Sequence, residues 1–151
     1  MKTVAIIQAR MGSTRLPGKV MRLVNGRPLI ELLLLRLSQA TEVDEIILAI
    51  PVGSIDDDLA SFVTDIGYKW FRGSELDVLD RYIKAGRGSF ADIGVRITGD
   101  CPLIDPGLVD KCIRMFKESK NLDYMSNCVP PSYPDGLDVE VFAFKALERA
   151  N

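Results

Sequence analysis

The sequence predicts an α/β fold, with a mostly parallel sheet and helices on both faces. Three observations carry this. Short aliphatic runs alternate with longer amphipathic stretches along the chain. The first aliphatic run, Val4–Ile7, leads straight into a basic, glycine-containing loop, Ala9–Lys19, where such a sheet offers a ligand its strand ends. The chain has 151 residues, 47% hydrophobic and 26% charged, which suits one soluble domain around a single core.

Taken in order, Thr3–Ala9 reads as the first strand. Val20–Val24 reads as a short extended piece, ended by an Asn25-Gly26 turn. Pro28 suits a first helical position, and Leu29, Leu32, Leu33 and Leu37 give a helix to about Ala40 its apolar face. Glu45–Ile50 is a buried strand. Ser54 and Asp57 form a capping-box pattern before a helix through Leu59, Phe62, Val63 and Ile66, which Gly67 closes. Tyr68–Phe71 reads as strand, Leu76–Ala85 as helix and Asp92–Thr98 as strand. Asp105 caps a helix that Pro106 starts, with Leu108, Val109, Cys112, Ile113 and Phe116 inward. Leu122–Ser126 and Leu137–Phe142 are late strands around a proline-rich loop, Asn127–Gly136. From Phe144 a helical pattern runs about two turns.

Composition narrows the function. A net charge of −2 argues against a general nucleic-acid binder. The longest apolar cluster, Leu29–Leu37, contains Glu31 and Arg36 and is too short to span a bilayer, and the first residues are too short an apolar run for a signal peptide. Three irregularly spaced cysteines read as reduced thiols, so a cytoplasmic location is expected. There is no histidine. Chemistry must therefore rest on carboxylates, cations, hydroxyls or a hard metal ion, and magnesium-dependent phosphoryl chemistry meets that restriction.

From Arg10 to Ile30 the chain carries five cations, Arg10, Arg15, Lys19, Arg22 and Arg27, and one acid-free loop, A-R-M-G-S-T-R-L-P-G-K. Cations and exposed N–H groups suit a polyphosphate. The ATPase phosphate loop, G-x-x-x-x-G-K-[ST], does not fit. Five residues separate Gly12 from Gly18, and Val20 stands where a hydroxyl should follow the lysine.

The loop resembles that of the cytidylyltransferases that make CMP-activated sugar acids, at Ala9, Arg10, Ser13, Arg15, Leu16, Pro17, Gly18 and Lys19. Within that family the chain is most similar to the spore-coat polysaccharide branch. The likeness extends to Arg72-Gly73-Ser74 with Asp77–Arg81, to Gly99–Ile104 and to Tyr133–Glu140. The resemblance implies a three-layer sandwich shared by nucleotidyltransferases and nucleotide-diphospho-sugar transferases. It implies transfer of CMP from CTP to a sugar or sugar acid, with release of pyrophosphate.

The roles it implies are specific. Arg15 and Lys19 meet the β- and γ-phosphates, amides near Gly12 and Ser13 hold phosphate oxygens, and Ala9 and Arg10 lie beside the base and triphosphate. Asp100, at a strand's carboxyl end, binds magnesium in preference to Asp105, and Thr98 and Gly99 border the nucleotide. Arg72 and Ser74 read the base. Asp77 and Arg81 either contact the sugar or pair on the surface at i, i+4. Asn127, Asp138 and Glu140 either line the acceptor pocket or are ordinary loop and strand residues, with Asp138 and Glu140 on one strand face. Thr98 replaces the glutamine of the synthetases for eight-carbon keto acids, which leaves the acceptor open.

Three further expectations follow. The family supplies a second metal carboxylate from a later D-x-P-E-D-type segment. That segment is absent here, so residues 1–151 are expected to be the N-terminal part of a longer domain that binds nucleotide without turnover. A homodimer is also expected. The alternatives are a glycosyltransferase of the same fold, whose D-x-D motif Asp56-Asp57-Asp58 fits less well than a first helical turn, and a non-catalytic nucleotide-binding fragment.

Overall fold

A computed structural model describes residues 1–150. The elements are β1 (Thr3–Gln8), β2 (Leu23–Val24), β3 (Arg27–Pro28), α1 (Leu29–Leu37), β4 (Glu45–Pro51), α2 (Asp57–Asp65), β5 (Lys69–Gly73), α3 (Val78–Gly88), β6 (Ile93–Thr98), α4 (Pro106–Glu118), β7 (Tyr124–Ser126), β8 (Glu140–Ala143) and α5 (Phe144–Arg149). One sheet has the order β5-β4-β1-β6-β8-β7, and β2 and β3 form a separate small hairpin. The β5-β4-β1-β6 run is parallel, and β8 is antiparallel to both its neighbours.

Side chains alternate across the sheet and divide the core in two. Ala5, Ile7, Leu48, Ile50, Val95 and Ile97 face α1, α2 and α4 in the larger cluster. Val4, Ile6, Ile47, Ala49 and Phe142 face Tyr82 and Ala85 of α3 and Phe144 of α5 in the smaller one. These are the three layers that the sequence implies. Two glycines let the second layer close. A Cβ on Gly86 would lie 2.1 Å from the Phe144 ring, and one on Gly94 would lie 2.2 Å from the Phe142 ring.

The strand order fixes the ligand crevice. From β1 the chain builds outward through β4 to β5, then returns to place β6 on the other side of β1. The order reverses between β1 and β6, so a crevice opens at their carboxyl ends.

Several local expectations are corrected. Lys19–Met21 forms a 3-10 turn that buries Val20, because Met21 N–H donates to Gly18 O and Arg22 N–H to Lys19 O. Only Leu23–Val24 is extended, pairing with β3 across Asn25 and Gly26, both at positive φ. In α1 the buried stripe is Ile30, Leu33, Leu34 and Leu37, rotated from the expected face. Pro28 precedes the helix instead of opening it, since β3 holds it against Leu23. The Ser54–Asp57 capping box does not form; Ser54–Asp56 is a 3-10 turn and Asp56 is buried. Asp138 lies before β8, so it does not share a strand with Glu140.

Asp105 does cap α4, accepting from Leu108 N–H at 2.7 Å. Asp110, on the same helix, ties it to the α1–β4 connection. It accepts from Thr41 N–H and Oγ1 and from Glu42 N–H, at 2.8–3.0 Å. Burial pushes its pKa up, but these hydrogen bonds outweigh burial and hold it below the ordinary carboxylate value. A depressed folded pKa contributes stability that is present above the unfolded pKa and lost as pH falls through the folded one. At pH 7, Asp110→Asn should therefore cost about 1–3 kcal/mol of stability, the scale of hydrogen bonds to a charged group. The gap should narrow as pH falls from the ordinary aspartate value, where the unfolded chain's carboxylate protonates, through the lower folded one. Denaturant titrations of both proteins across this range check it; a gap independent of pH contradicts it.

Candidate functional site

The site starts from one close approach. Gly99, just past β6, donates its N–H to Gln8 O of β1 at 2.8 Å. A Cβ there would sit 2.8 Å from that oxygen and 3.0 Å from Ala9 Cβ, so no other residue lets the two strand ends meet this way. The contact places Ala9 and the basic loop beside Thr98, Gly99 and Asp100.

The loop is held from below. Met11 O accepts from the N–H groups of Ser13 and Gly18, at 2.8 and 2.9 Å, and closes its neck. Gly18 makes that turn in the left-handed region, φ 66°. Met11 N–H donates to the buried Asp56 carboxylate at 2.7 Å. Ser13 Oγ accepts from Leu16 N–H at 3.3 Å. The Ser13 N–H is thus turned inward, and the N–H groups of Gly12, Thr14 and Arg15 take no part in these bonds.

A cavity of about 310 Å³ lies over the crevice. It is lined by Gln8, Ala9, Arg10, Ser13, Arg15, Lys19, Val20, Arg96, Thr98, Gly99 and Asp100. Lys19 Nζ donates to Asp100 Oδ2 at 2.7 Å. That bond, aided by Thr98 and opposed by burial, holds the Asp100 carboxyl below the ordinary carboxylate value. A second cavity, about 810 Å³, shares Thr98 and Asp100 and extends past Asp105 to Pro134–Asp138.

The remaining expected residues are arranged otherwise. Arg72 donates to Gly53 O at 2.7 Å and to Asp57 at 2.5 Å, so its guanidinium ties β5 to the start of α2. Ser74 and Asp77 build the turn into α3: Ser74 Oγ accepts from Asp77 N–H, and Asp77 caps the helix at Asp80 N–H. Arg81 is 1% exposed and donates to Ser74 O. Asp77 and Arg81 therefore do not form the surface pair; Asp80 and Lys84 do. The Asn127 amide is spent on Leu137 O and Val139 N–H, stapling its own loop. Asp138 lines the larger cavity, whereas Glu140 pairs with Arg96 on the sheet. Arg10 reaches Glu75 at 3.5 Å, which joins the loop after β5 to the basic loop.

Sequence reasoning missed Asp56, Glu75 and Arg96. Asp56 reads as one of three helix-start acids. Arg96 alone carried a signal, a cation in the middle of an otherwise apolar strand. In the D-x-D reading the first aspartate, Asp56, is buried and committed to Met11 N–H, which leaves it turned away from a metal at the cavity. Among the described residues no group of three or more metal-binding side chains occurs, and no helix is long and apolar enough to cross a membrane.

Comparison with known proteins gives a consistent result. A cytidylyltransferase family model matches residues 4–150. An uncharacterised protein of Methanocaldococcus jannaschii is 41% identical over 99% of this chain and 60% of its own length. The spore coat polysaccharide biosynthesis protein SpsF of Bacillus subtilis is 39% identical over 81% of this chain and 53% of its own. The solved structure of a cytidylyltransferase from Leptospira borgpetersenii superposes with a TM-score of 0.94 at 34% identity, over 99% of this chain and 63% of that one. The chain thus spans little more than half the length of these relatives.

The Lys19–Asp100 contact is open to direct measurement. By carboxyl NMR, Asp100 should titrate below the ordinary aspartate value, and Lys19→Met should move it upward. An Asp100 titration that Lys19→Met leaves unmoved would show that the ion pair does not form in solution.

Proposed function

This chain belongs to the cytidylyltransferase family, and we propose that it serves CTP-dependent nucleotidyl transfer to a sugar or sugar acid. One observation carries the reading: Arg15, Lys19, Thr98, Gly99 and Asp100 line a single cavity at the crevice where the strand order reverses. The cations Arg10, Arg15 and Lys19 there suit the β- and γ-phosphates. Arg72 and Ser74 stand at the end of β5, two strands from β1. That is roughly 10 Å at ordinary strand spacing, a distance that a nucleotide spans from phosphate to base.

In the proposed reaction the acceptor hydroxyl oxygen attacks the α-phosphorus in line. A new O–P bond forms, the bond from the α-phosphorus to the α,β-bridging oxygen breaks, and pyrophosphate leaves. The hydroxyl proton passes to water. Lys19 exchanges Asp100 for the terminal phosphates, and Arg15 joins it there to stabilise the leaving group. The single carboxylate of Asp100 fits magnesium, which takes one or two carboxylates with phosphate oxygens and water, and would supply charge neutralisation at the phosphates. Likeness to SpsF supports a place in cell-surface or spore-coat polysaccharide synthesis.

Pyrophosphate release from a chain of the relatives' full length is the test of the activity, with CTP against the other nucleoside triphosphates and a panel of sugars and sugar acids. CTP-selective, acceptor-dependent release supports the reading; binding of all triphosphates alike counts against it. Lys19→Ala should weaken CTP binding by about 1.5–3 kcal/mol, the scale of a charged hydrogen bond, and CMP binding much less. Equal losses in calorimetry would remove Lys19 from the terminal phosphates. Asp100→Asn should abolish the gain in CTP affinity that magnesium brings. An unchanged gain would mean that Asp100 is not the ligand.

A further inference from the structure

Arg81 of α3 is the largest side chain sealed inside the protein, at 1% exposure. A guanidinium keeps its charge at ordinary pH, and a buried charge is costly unless it is paired. Burial lowers the Arg81 pKa from the ordinary arginine value; Asp56 and Glu75 oppose this and Arg10 adds to it. Nη1 donates to Ser74 O at 2.5 Å, and Nε has no hydrogen-bond partner among the described residues. A buried N–H left without a partner is rare enough to need a reason. Fold stability does not supply one, because an apolar side chain of similar volume often serves as well as a buried charge.

The position of Arg81 does supply one. Its stem packs on Gly73, the last residue of β5, where a Cβ would lie 2.9 Å from Arg81 Cγ and 3.1 Å from Arg81 Cβ. Its head grips the next carbonyl, that of Ser74. The turn beyond is folded on itself, since Ser74 Oγ accepts from Asp77 N–H and Asp77 accepts from Asp80 N–H. Arg81 thus pins the turn where it leaves the strand. Glu75, in that turn, reaches Arg10 of the basic loop at 3.5 Å. Arg81 itself does not line the cavity over the crevice.

The basic loop has supports of its own. Met11 O closes its neck on two N–H groups, and Asp56 holds Met11 N–H. The two ends of the proposed nucleotide site are therefore built separately, the phosphate end on Met11 and the base end on Arg81. They also tolerate error differently. Attraction between cations and phosphates falls only as the inverse of distance. Hydrogen bonds to a base edge need donors and acceptors held within about 0.5 Å.

We propose that Arg81 is a positioning residue for nucleobase discrimination. By gripping Ser74 O and seating Gly73, it holds the Arg72–Glu75 turn in the one position that suits cytosine. The proposal rests on the nucleotidyl-transfer reading. Arg81 touches no part of the nucleotide, so its loss changes base selectivity and leaves triphosphate affinity in place.

The test is calorimetry with CTP, UTP and inorganic tripolyphosphate, which has no base. The wild type should prefer CTP to both. Arg81→Met should lower CTP affinity roughly tenfold, the effect of losing a charged hydrogen bond, while tripolyphosphate affinity stays within about twofold. The CTP-to-UTP ratio should fall with it, and Arg81→Lys should restore part of the loss. The Ser74 carbonyl carbon resonance should shift in Arg81→Met. A folding defect alone would lower all three affinities alike.

Gly73→Ala keeps the charge but displaces the Arg81 stem, and should lower the same ratio. It carries the test if Arg81→Met melts early. Equal losses for CTP and tripolyphosphate would overturn the role of Arg81. A wild type that prefers CTP, with variants that keep the full preference, would sink that role alone. A wild type that binds CTP, UTP and tripolyphosphate alike would sink the nucleotidyl-transfer reading, and the role of Arg81 with it.

Discussion

The hydrogen bond from Gly99 N–H to Gln8 O sets where everything else in the site can go. It draws the carboxyl ends of β1 and β6 together at the reversal of strand order. Only the missing Cβ of Gly99 allows it. Once the ends meet, the loop leaving β1 and the turn leaving β6 share one cavity, with cations from the first and a carboxylate from the second. The apolar alternation of the strands exists on either side of this point to hold it still. Ile7 and Ile97 are fully buried one or two residues before the crevice opens.

Charge is distributed with the same economy. Asp56, below the loop, spends its carboxylate on Met11 N–H and so anchors the loop backbone. The loop cations remain on the side of the cavity. Two of them are already paired, Arg10 with Glu75 and Lys19 with Asp100. Phosphate on Lys19, or a cation on Asp100, would each weaken the second pair by drawing on one of its partners. Nucleotide and cation binding are therefore expected to be mutually supportive, through a contact of two named side chains.

Much of this was legible in the sequence. The mostly parallel sheet follows from alternating aliphatic and amphipathic segments, because parallel neighbours need helical crossovers, whereas the strand order emerges only in the structure. Asp105 capped its helix as its position before Pro106 implied. The basic loop could be placed because a strand led into it. Other residues were not legible, for a common reason: their partners are remote in sequence. Asp56 meets Met11 across 45 residues, and the Ser54–Asp57 pattern gave no hint of it. Arg72 turns to Gly53 and Asp57 because the edge strand β5 brings them together. The α1 stripe was misjudged because nearly every residue of that helix is leucine or isoleucine, so periodicity does not select a face. Asp138 was read into β8, but the strand starts only at Glu140, after the loop that Asn127 staples.

The most direct measurement is a crystal structure of the protein with CTP and magnesium. The account expects the terminal phosphates within hydrogen-bonding distance of Arg15 and Lys19, and magnesium between Asp100 and the phosphates. It also expects Lys19 to have left Asp100. A triphosphate bound away from the β1–β6 crevice, with the Lys19–Asp100 pair intact, would contradict it.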